Sequence, residues 1–482
     1  MEDLRRITIE DKALKINLTT DIYGSFSEIG AGQEVAANFF KAGGSSGTIA
    51  YSHSAYDMKV SDRIYGKAKR YVCEERLTTM LNREFDSVID NLSDRKKDTR
   101  FFSFCNTVES LNYHETNQGQ GWVGIRFQVH PEKRPNNIIL HVKLHDQNNQ
   151  AQQEALGILG VNLIYTAFFH SSGSLDEFIS GMLDELPQDR IEIDMLRVEG
   201  HDYEHFDNRI LALNLVKRGV TAATMFDQTG KVLQPASALY KKNILLLRGR
   251  FRPVTKVHID MLKSAREKFY LEEDVKKKNV REVFELTIKD LTAGGRISDK
   301  DFVDRAELLG ALGHTVMISN YLKYYKVIDY LSDITKGYKI GVILGIYNIH
   351  NIFDEKYYRG LSGGLLEAFG RGFGRNSKLY IYPAINYKNG QLYEFKDVII
   401  PKDLNGLLTY MIDNNKIEAL TDYNYDHLDI QADDVLAKIK RHEPDETWDQ
   451  EVPERVAKAI KFMRLFNYKP AEEPEAIKLS KD

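Results

Sequence analysis

Six apolar runs from about residue 190 onward, separated by segments of helical character, constrain the fold more than any other feature. The runs are rich in Ile, Leu, Val, Met and aromatic residues: IEIDMLRV, VTAATMF, NILLLRG, TVMIS, KIGVILGI and KLYIYPAI. Strands that are apolar on both faces and alternate with helices are typical of a parallel sheet covered on both sides. We therefore expect an α/β fold with a Rossmann-like parallel sheet and helices on both faces in the C-terminal half.

The length of 482 residues exceeds what one hydrophobic core usually supports, so we expect more than one domain. We divide the chain into an α+β N-terminal domain (1–185), a βα connecting segment (186–242), a Rossmann-like domain (243–470) and a disordered Pro/Glu/Lys-rich tail (471–482). In the first half, IAYSHSAYDMKVS alternates like a strand or hairpin, and QQEALGILGVNLIYTAFF predicts a long buried helix. In the second half, the Asn389–Gly390 pair predicts the turn of an inserted hairpin.

Composition limits the cellular location and the classes of binding partner that we expect for the protein. The formal net charge of -4 argues against a general nucleic-acid-binding surface. The two cysteines, Cys73 and Cys105, form no CxxC pair, which fits a reducing compartment. The N-terminus lacks an apolar core of signal-peptide length, and the longest apolar runs fall short of the roughly 20 residues that span a bilayer. We expect a cytoplasmic protein without membrane segments, and the many aromatics make a homo-oligomer an expectation too.

The segment NILLLRGRFRPVTKVHIDML carries the strongest functional signal. An apolar strand runs into Gly249, and Pro253 precedes a helix that opens near Thr255. A loop ending at a helix N-terminus presents backbone amides and a positive dipole end to an anion. Four cations fall within this short loop: Arg248, Arg250, Arg252 and Lys256. The pattern indicates a phosphate-binding loop, or alternatively a solvated basic turn.

GRFRPVTKVH is similar to the GxFxPxTxGH signature of phosphopantetheine and nicotinate-mononucleotide adenylyltransferases, which are HxGH nucleotidyltransferases. The whole chain also resembles bacterial proteins labelled nicotinate-nucleotide adenylyltransferase. The resemblance implies that Thr255 and His258 contact ATP phosphates, with His258 donating to the α-phosphate as its charge grows. Val257 stands where the family has glycine, and overfilling such a position typically costs ~1–3 kcal/mol.

Two further matches follow in the family's order. KIGVILGIYNIHNIF resembles the GxDxxxxF pattern, with Gly345 at the glycine and Phe353 one residue beyond the aromatic position, but Tyr347 replaces the aspartate. The segment from 429 to 468 matches an ISSTxxR helix start followed by a VPxxVxxYI helix, through Ile430, Val452, Pro453, Val456 and Ile460. The polar positions of that helix start are lost, since Gln431, Ala432, Asp433 and Leu436 replace the serines, threonine and arginine.

These departures leave two hypotheses. Losing one charge-assisted phosphate contact costs ~1.5–3 kcal/mol, so losing several without replacement would abolish transfer. Arg250, Arg252, Lys438, Lys440 and Arg441 are candidate replacements. The first hypothesis is a nucleotidyltransferase that uses Mg²⁺ and a nucleoside triphosphate to modify a phosphorylated small molecule. The second is a degenerate protein that binds a nucleotide or anion, or that assembles as a scaffold.

The resulting candidate site has three catalytic and six nucleotide-binding positions: Thr255, His258 and Arg252, and then Gly249, Arg250, Phe251, Lys256, Gly345 and Lys438. Other patterns point to ordinary structure. AGGSSGT (42–48) lacks the ending of a phosphate loop and is better interpreted as a helix end with a turn. The histidine pairs His141/His145 and His201/His205 lack a third ligand, so we predict no metal site.

Overall fold

The computed structural model describes residues 7–470 except 115, 172, 293, 294, 296, 375, 387 and 442–446. The chain divides into two compact units, Met1–Thr221 and Ala222–Asp482. This division falls inside the segment 186–242 that we had assigned to a connection. Within that segment, strand β6 (Ile191–Glu199) pairs with the first sheet and strand β7 (Ala223–Phe226) pairs with the second. The tail expected to be disordered (471–482) lies outside the described residues.

The first unit holds a six-stranded mixed sheet in the order β2-β1-β3-β4-β5-β6. Strands β1 to β3 pair in parallel, and β3 to β6 pair antiparallel. The strands are β1 (Ile22–Gly30), β2 (Ile49–His53), β3 (Arg100–Glu109), β4 (Gly119–Phe127), β5 (Asn136–Leu144) and β6 (Ile191–Glu199). The helices are α1 (Ile9–Asn17), α2 (Glu34–Ala42), α3 (Met58–Tyr65), α4 (Glu74–Asn91), α5 (Asn149–Phe169), α6 (Leu175–Met182) and α7 (Asn208–Lys217).

Helices cover both faces of this first sheet. The larger cluster buries α1, α2, α5 and α6 against one face, and the predicted buried helix is α5. On the other face, Phe85 and Val88 of α4 pack on Phe101. The alternation that we predicted as a strand or hairpin ends after His53: Asp57 caps α3 by accepting the amides of Lys59 and Val60, so its second half is helical.

The second unit contains the expected parallel sheet, in the order β16-β13-β12-β9-β10-β11-β7-β8. Its strands are β7 (Ala223–Phe226), β8 (Val232–Leu233), β9 (Asn243–Arg248), β10 (Val280–Thr287), β11 (Thr315–Ser319), β12 (Ile340–Gly345), β13 (Ser377–Tyr382) and β16 (Ile417–Ala419). Strands β9, β10, β11, β12, β13 and β16 pair in parallel, whereas β7 pairs antiparallel with both of its neighbours, β11 and β8. Numbered from β9 along the chain, the six parallel strands have the 3-2-1-4-5-6 order of the Rossmann fold. The Rossmann-like α/β fold is confirmed.

The helices of the second unit are α8 (Pro235–Leu239), α9 (Lys256–Phe269), α10 (Ile288–Thr292), α11 (Asp299–Ala311), α12 (Tyr324–Thr335), α13 (Asn348–Ile352), α14 (Gly364–Phe373), α15 (Asn405–Asp413), α16 (Ala432–Arg441) and α17 (Glu454–Met463). Alternate residues of the fully buried β9 face opposite helices. Leu246 joins the cluster with α12 and α14, whereas Leu245 lies near Phe269 of α9. The predicted hairpin is the pair β14 (Ala384–Ile385) and β15 (Leu392–Tyr393).

Candidate functional site

The strand order of the second unit creates a crevice at the carboxyl ends of β9 and β12. The chain leaves β9 through α9 toward β10 on one side, and later returns through β12 on the other side. Ligands of open α/β sheets bind at such a reversal of strand order. Gly249 directly follows β9 and Gly345 ends β12, so the fold brings these two predicted positions together. A Cβ atom at Gly345 would meet only Asn348 at 3.7 Å, which leaves the crevice open there.

The buried side chain of Phe251 holds the loop that follows β9 against the core. Its side chain is fully buried, with ring centroids 5.1 Å from Phe284 and 5.2 Å from His258. We had assigned Phe251 to nucleotide binding, but a ring enclosed by the core cannot present its face to a ligand. Its role in this structure is to fix the loop over the end of the sheet.

His258 lies in the first turn of α9 as a neutral imidazole. Its Nδ1 accepts the Thr255 amide at 3.0 Å and lies 2.9 Å from the Thr255 hydroxyl. Burial, and then the charge of Arg250, lower the pKa of His258 to about 4. Because Nδ1 is an acceptor, the proton of the neutral ring sits on Nε2. We find no partner for Nε2 among the described residues, so this N–H is available to an anion.

Most cations of the loop already have carboxylate partners. Arg248 makes two 2.8 Å hydrogen bonds to the buried Glu285. Arg252 contacts Asp301 at 2.5 Å, and Asp301 also holds Arg305, whose guanidinium reaches the Arg250 carbonyl at 3.1 Å. These ion pairs fix the loop rather than leave its side chains available, which departs from the catalytic role we expected for Arg252.

The start of α16 lies beside the loop, as the third sequence match implied. Arg250 forms a 2.7 Å ion pair with Asp433, with both side chains largely exposed. Lys438 contacts Glu451 at 2.6 Å, and the Lys256 amide donates to the Glu451 carbonyl at 3.0 Å. Carboxylates therefore hold two of the cations that we expected to grip phosphate.

The backbone amides at the start of α9 are less available than the sequence suggested. The amides of Thr255, Lys256 and His258 donate respectively to the His258 ring, the Glu451 carbonyl and the Thr255 carbonyl. An anion at this loop would depend mainly on side chains. The side chain of Lys256 has no ion-pair partner within the described part of the chain, and it joins His258 Nε2 as an available donor.

A second cationic pocket at the carboxyl ends of the strands was missed by the sequence analysis. It has a volume of about 260 Å³ and is lined by residues that follow β9 to β12, among them Arg248, Lys289, Lys323, Tyr324 and Asn348. Lys323 lies 3.6 Å from the centroid of the Tyr357 ring, and burial together with Lys289 lowers its pKa. The sequence signal is a basic residue at the carboxyl end of neighbouring strands: Arg248 ends β9 and Lys289 follows β10. Recognising β10 as a strand would have revealed it.

Mg²⁺ bound to a nucleotide needs only one or two protein carboxylates besides phosphate oxygens. The described residues contain no group of three or more His, Cys, Asp or Glu side chains arranged to hold a metal. Of the carboxylates around the loop, Asp433 pairs with Arg250 and Glu451 pairs with Lys438.

Comparisons with known proteins identify no family for this chain. No family model and no curated protein matches the chain. Similar solved structures include a competence/damage inducible protein from Agrobacterium tumefaciens (13% identity, TM-score 0.23) and a CinA superfamily protein from Enterobacter cloacae (11%, 0.25). The aligned part is 33% and 34% of this chain and 93% of each of those chains. At these TM-scores the likeness supports no functional argument, and the adenylyltransferase resemblance stays a prediction. No described helix is long and apolar enough to cross a membrane.

Proposed function

We propose that the second unit binds a nucleotide, with its phosphates at the Gly249–His258 loop. The single observation that carries the proposal is the neutral His258 in the first turn of α9, the helix that follows β9 at the strand-order reversal: its Nδ1 accepts the Thr255 amide, which leaves the ring proton on Nε2. Lys256 and Arg250 would supply the charge, with Arg250 exchanging Asp433 for a phosphate oxygen. The exchange is inexpensive, because exposed ion pairs are typically worth ~0–1 kcal/mol.

Nucleotidyl transfer is the activity that this arrangement would serve. A phosphate oxygen of the acceptor would attack the α-phosphorus, a new P–O bond would form, and pyrophosphate would leave as the α–β bond breaks. The acceptor would occupy the pocket that follows strands β9 to β12, where the cations of Lys289 and Lys323 suit a phosphorylated small molecule. Mg²⁺ would neutralise charge on the triphosphate, and His258 would donate its Nε2 proton as a hydrogen bond to the α-phosphate.

A binding protein without turnover is the second candidate, and the ion pairs favour it. Asp433 stands at the helix start where the family grips phosphate, and Lys438 is occupied by Glu451. Self-assembly as a scaffold is a further prediction, which sedimentation velocity of the full chain would test.

The decisive experiment measures thermal unfolding of the full chain with nucleoside triphosphates and Mg²⁺, beside a pyrophosphate-release assay. A ligand at 100 times its Kd stabilises the folded state by about 2.7 kcal/mol. We expect stabilisation by a triphosphate that His258→Ala reduces and that Lys263→Ala, a change farther along the same helix, leaves intact. Turnover lost in His258→Ala would support transfer, and binding without turnover would support the second candidate. No stabilisation by any nucleotide would refute both.

A further inference from the structure

The β14–β15 hairpin is inserted after β13 and stands beside the same crevice. Its second strand carries Tyr393, whose ring stacks on Tyr347 with centroids 5.5 Å apart and planes 28° apart. The Tyr347 hydroxyl donates to the Ile385 carbonyl of the first strand at 3.3 Å. The Tyr393 hydroxyl lies 3.1 Å from His350 Nε2. These contacts hold the ring pair in a fixed orientation.

The ring pair lies within a nucleotide's length of the phosphate loop. Strands β9 and β12 pair in parallel with Leu247 opposite Ile343, so Gly249 and Gly345 leave the sheet at the same level. Neighbouring strands are about 4.8 Å apart. Tyr347 follows Gly345 by two residues, as Phe251 follows Gly249, and it occupies the position where the similar adenylyltransferases have an aspartate. Its side chain is 37% exposed.

A pair of stacked, partly exposed tyrosines suits the flat face of a nucleobase. Stacking requires no match to the hydrogen-bonding edge of the base, because every base has a π face. Burial of Tyr393, followed by the neighbouring Tyr347, raises the pKa of its hydroxyl, so the ring stays neutral. A neutral phenol ring can stack on a base without placing a negative charge near the phosphates.

We propose that Tyr393 and Tyr347 form a base-stacking platform, which selects ligands with an aromatic base over plain polyphosphates. The inference rests on the proposed nucleotide binding at the Gly249–His258 loop and adds what recognises the base. Purines, with the larger π surface, would bind more tightly than pyrimidines. Because the platform reads the face of the base, ATP and GTP would bind with similar affinity.

The test compares Kd values for ATP and for inorganic tripolyphosphate by calorimetry with the full chain. We expect the wild type to bind ATP about tenfold more tightly than tripolyphosphate. Tyr393→Leu fills most of the volume without a π system, and it should remove this preference while leaving tripolyphosphate binding unchanged. Tyr393→Phe should keep the preference. Tyr410→Ala, at an exposed tyrosine of α15, is the matched control and should change neither Kd.

The outcomes separate the two proposals. Equal affinity of the wild type for ATP and tripolyphosphate would overturn the platform but leave phosphate binding at the loop intact. A Tyr393→Leu variant that keeps the preference for ATP, or that loses both ligands equally, would also overturn the platform. If the wild type binds neither compound, the proposed function and the platform both fail. The wild-type comparison needs no variant, so the platform remains testable even if Tyr393→Leu does not fold.

Discussion

Asp433 should act as an internal competitor for the phosphate loop, so Asp433→Asn should tighten polyphosphate binding. Its carboxylate lies 2.7 Å from Arg250, and the two side chains are 63% and 47% exposed. An exposed ion pair of this kind is worth up to ~1 kcal/mol, which corresponds to about fivefold in Kd. A bound phosphate near this carboxylate also suffers a repulsion on the order of 1 kcal/mol at 4 Å in water. We expect tripolyphosphate to bind roughly five to ten times more tightly to the variant at low salt.

The assay is calorimetric titration with tripolyphosphate at two ionic strengths. Because the Debye length shrinks from about 10 Å at 0.1 M to about 3 Å at 1 M, the gain should fall as salt rises. Asp434→Asn is the matched control: it removes an equal charge from the adjacent exposed residue, which forms no ion pair with Arg250 in this structure. The reasoning is wrong if the two variants bind equally well, or if Asp433→Asn binds no more tightly than the wild type.

Three further predictions concern stability. Folding lowers the pKa of His258 from 6.5 to about 4, so its contribution to the free energy of unfolding is complete above pH 6.5 and is lost as the pH drops toward 4. Urea unfolding should therefore give a free energy of unfolding about 2 kcal/mol smaller at pH 5 than at pH 8. His258→Gln should depend less on pH. Glu285→Ala leaves the buried Arg248 without its ion-pair partner and should lower the free energy of unfolding by about 3–5 kcal/mol. The double variant Arg248→Met with Glu285→Leu should recover most of this loss, and a double variant as unstable as Glu285→Ala would contradict the prediction. Phe251→Ala should cost about 3–5 kcal/mol by the same measurement, and a loss below 1 kcal/mol would show that the ring does not anchor the loop.

One strand shows the limit of prediction from sequence. β10 (Val280–Thr287) lies at the centre of the second sheet but is absent from the six predicted runs, and its sequence VREVFELT contains charged residues. In the structure Glu285 meets Arg248 from β9, and Glu282 meets Arg266 from α9. Burial of these carboxylates depends on partners 37 and 16 residues away, which no local pattern contains.

The chain's local patterns determined several strands of the second unit and the helix start that follows its loop. Apolar runs such as NILLLR become central strands because a parallel sheet covered by helices removes the side chains on both faces from water. Pro253 and Thr255 favour the start of a helix. The turn at Asn389–Gly390 was likewise readable, since these residues adopt the hairpin geometry at little cost.

Only the tertiary structure decided what the cations of the loop contact. Arg250 and Asp433 are separated by 183 residues, and the Glu451 carbonyl that accepts the Lys256 amide lies still farther along the chain from the loop. The side-by-side position of Tyr347 and Tyr393 also depends on where the inserted hairpin folds. Charge pairing and stacking act between atoms a few ångströms apart, so they follow the order in which strands assemble rather than the order of residues along the chain.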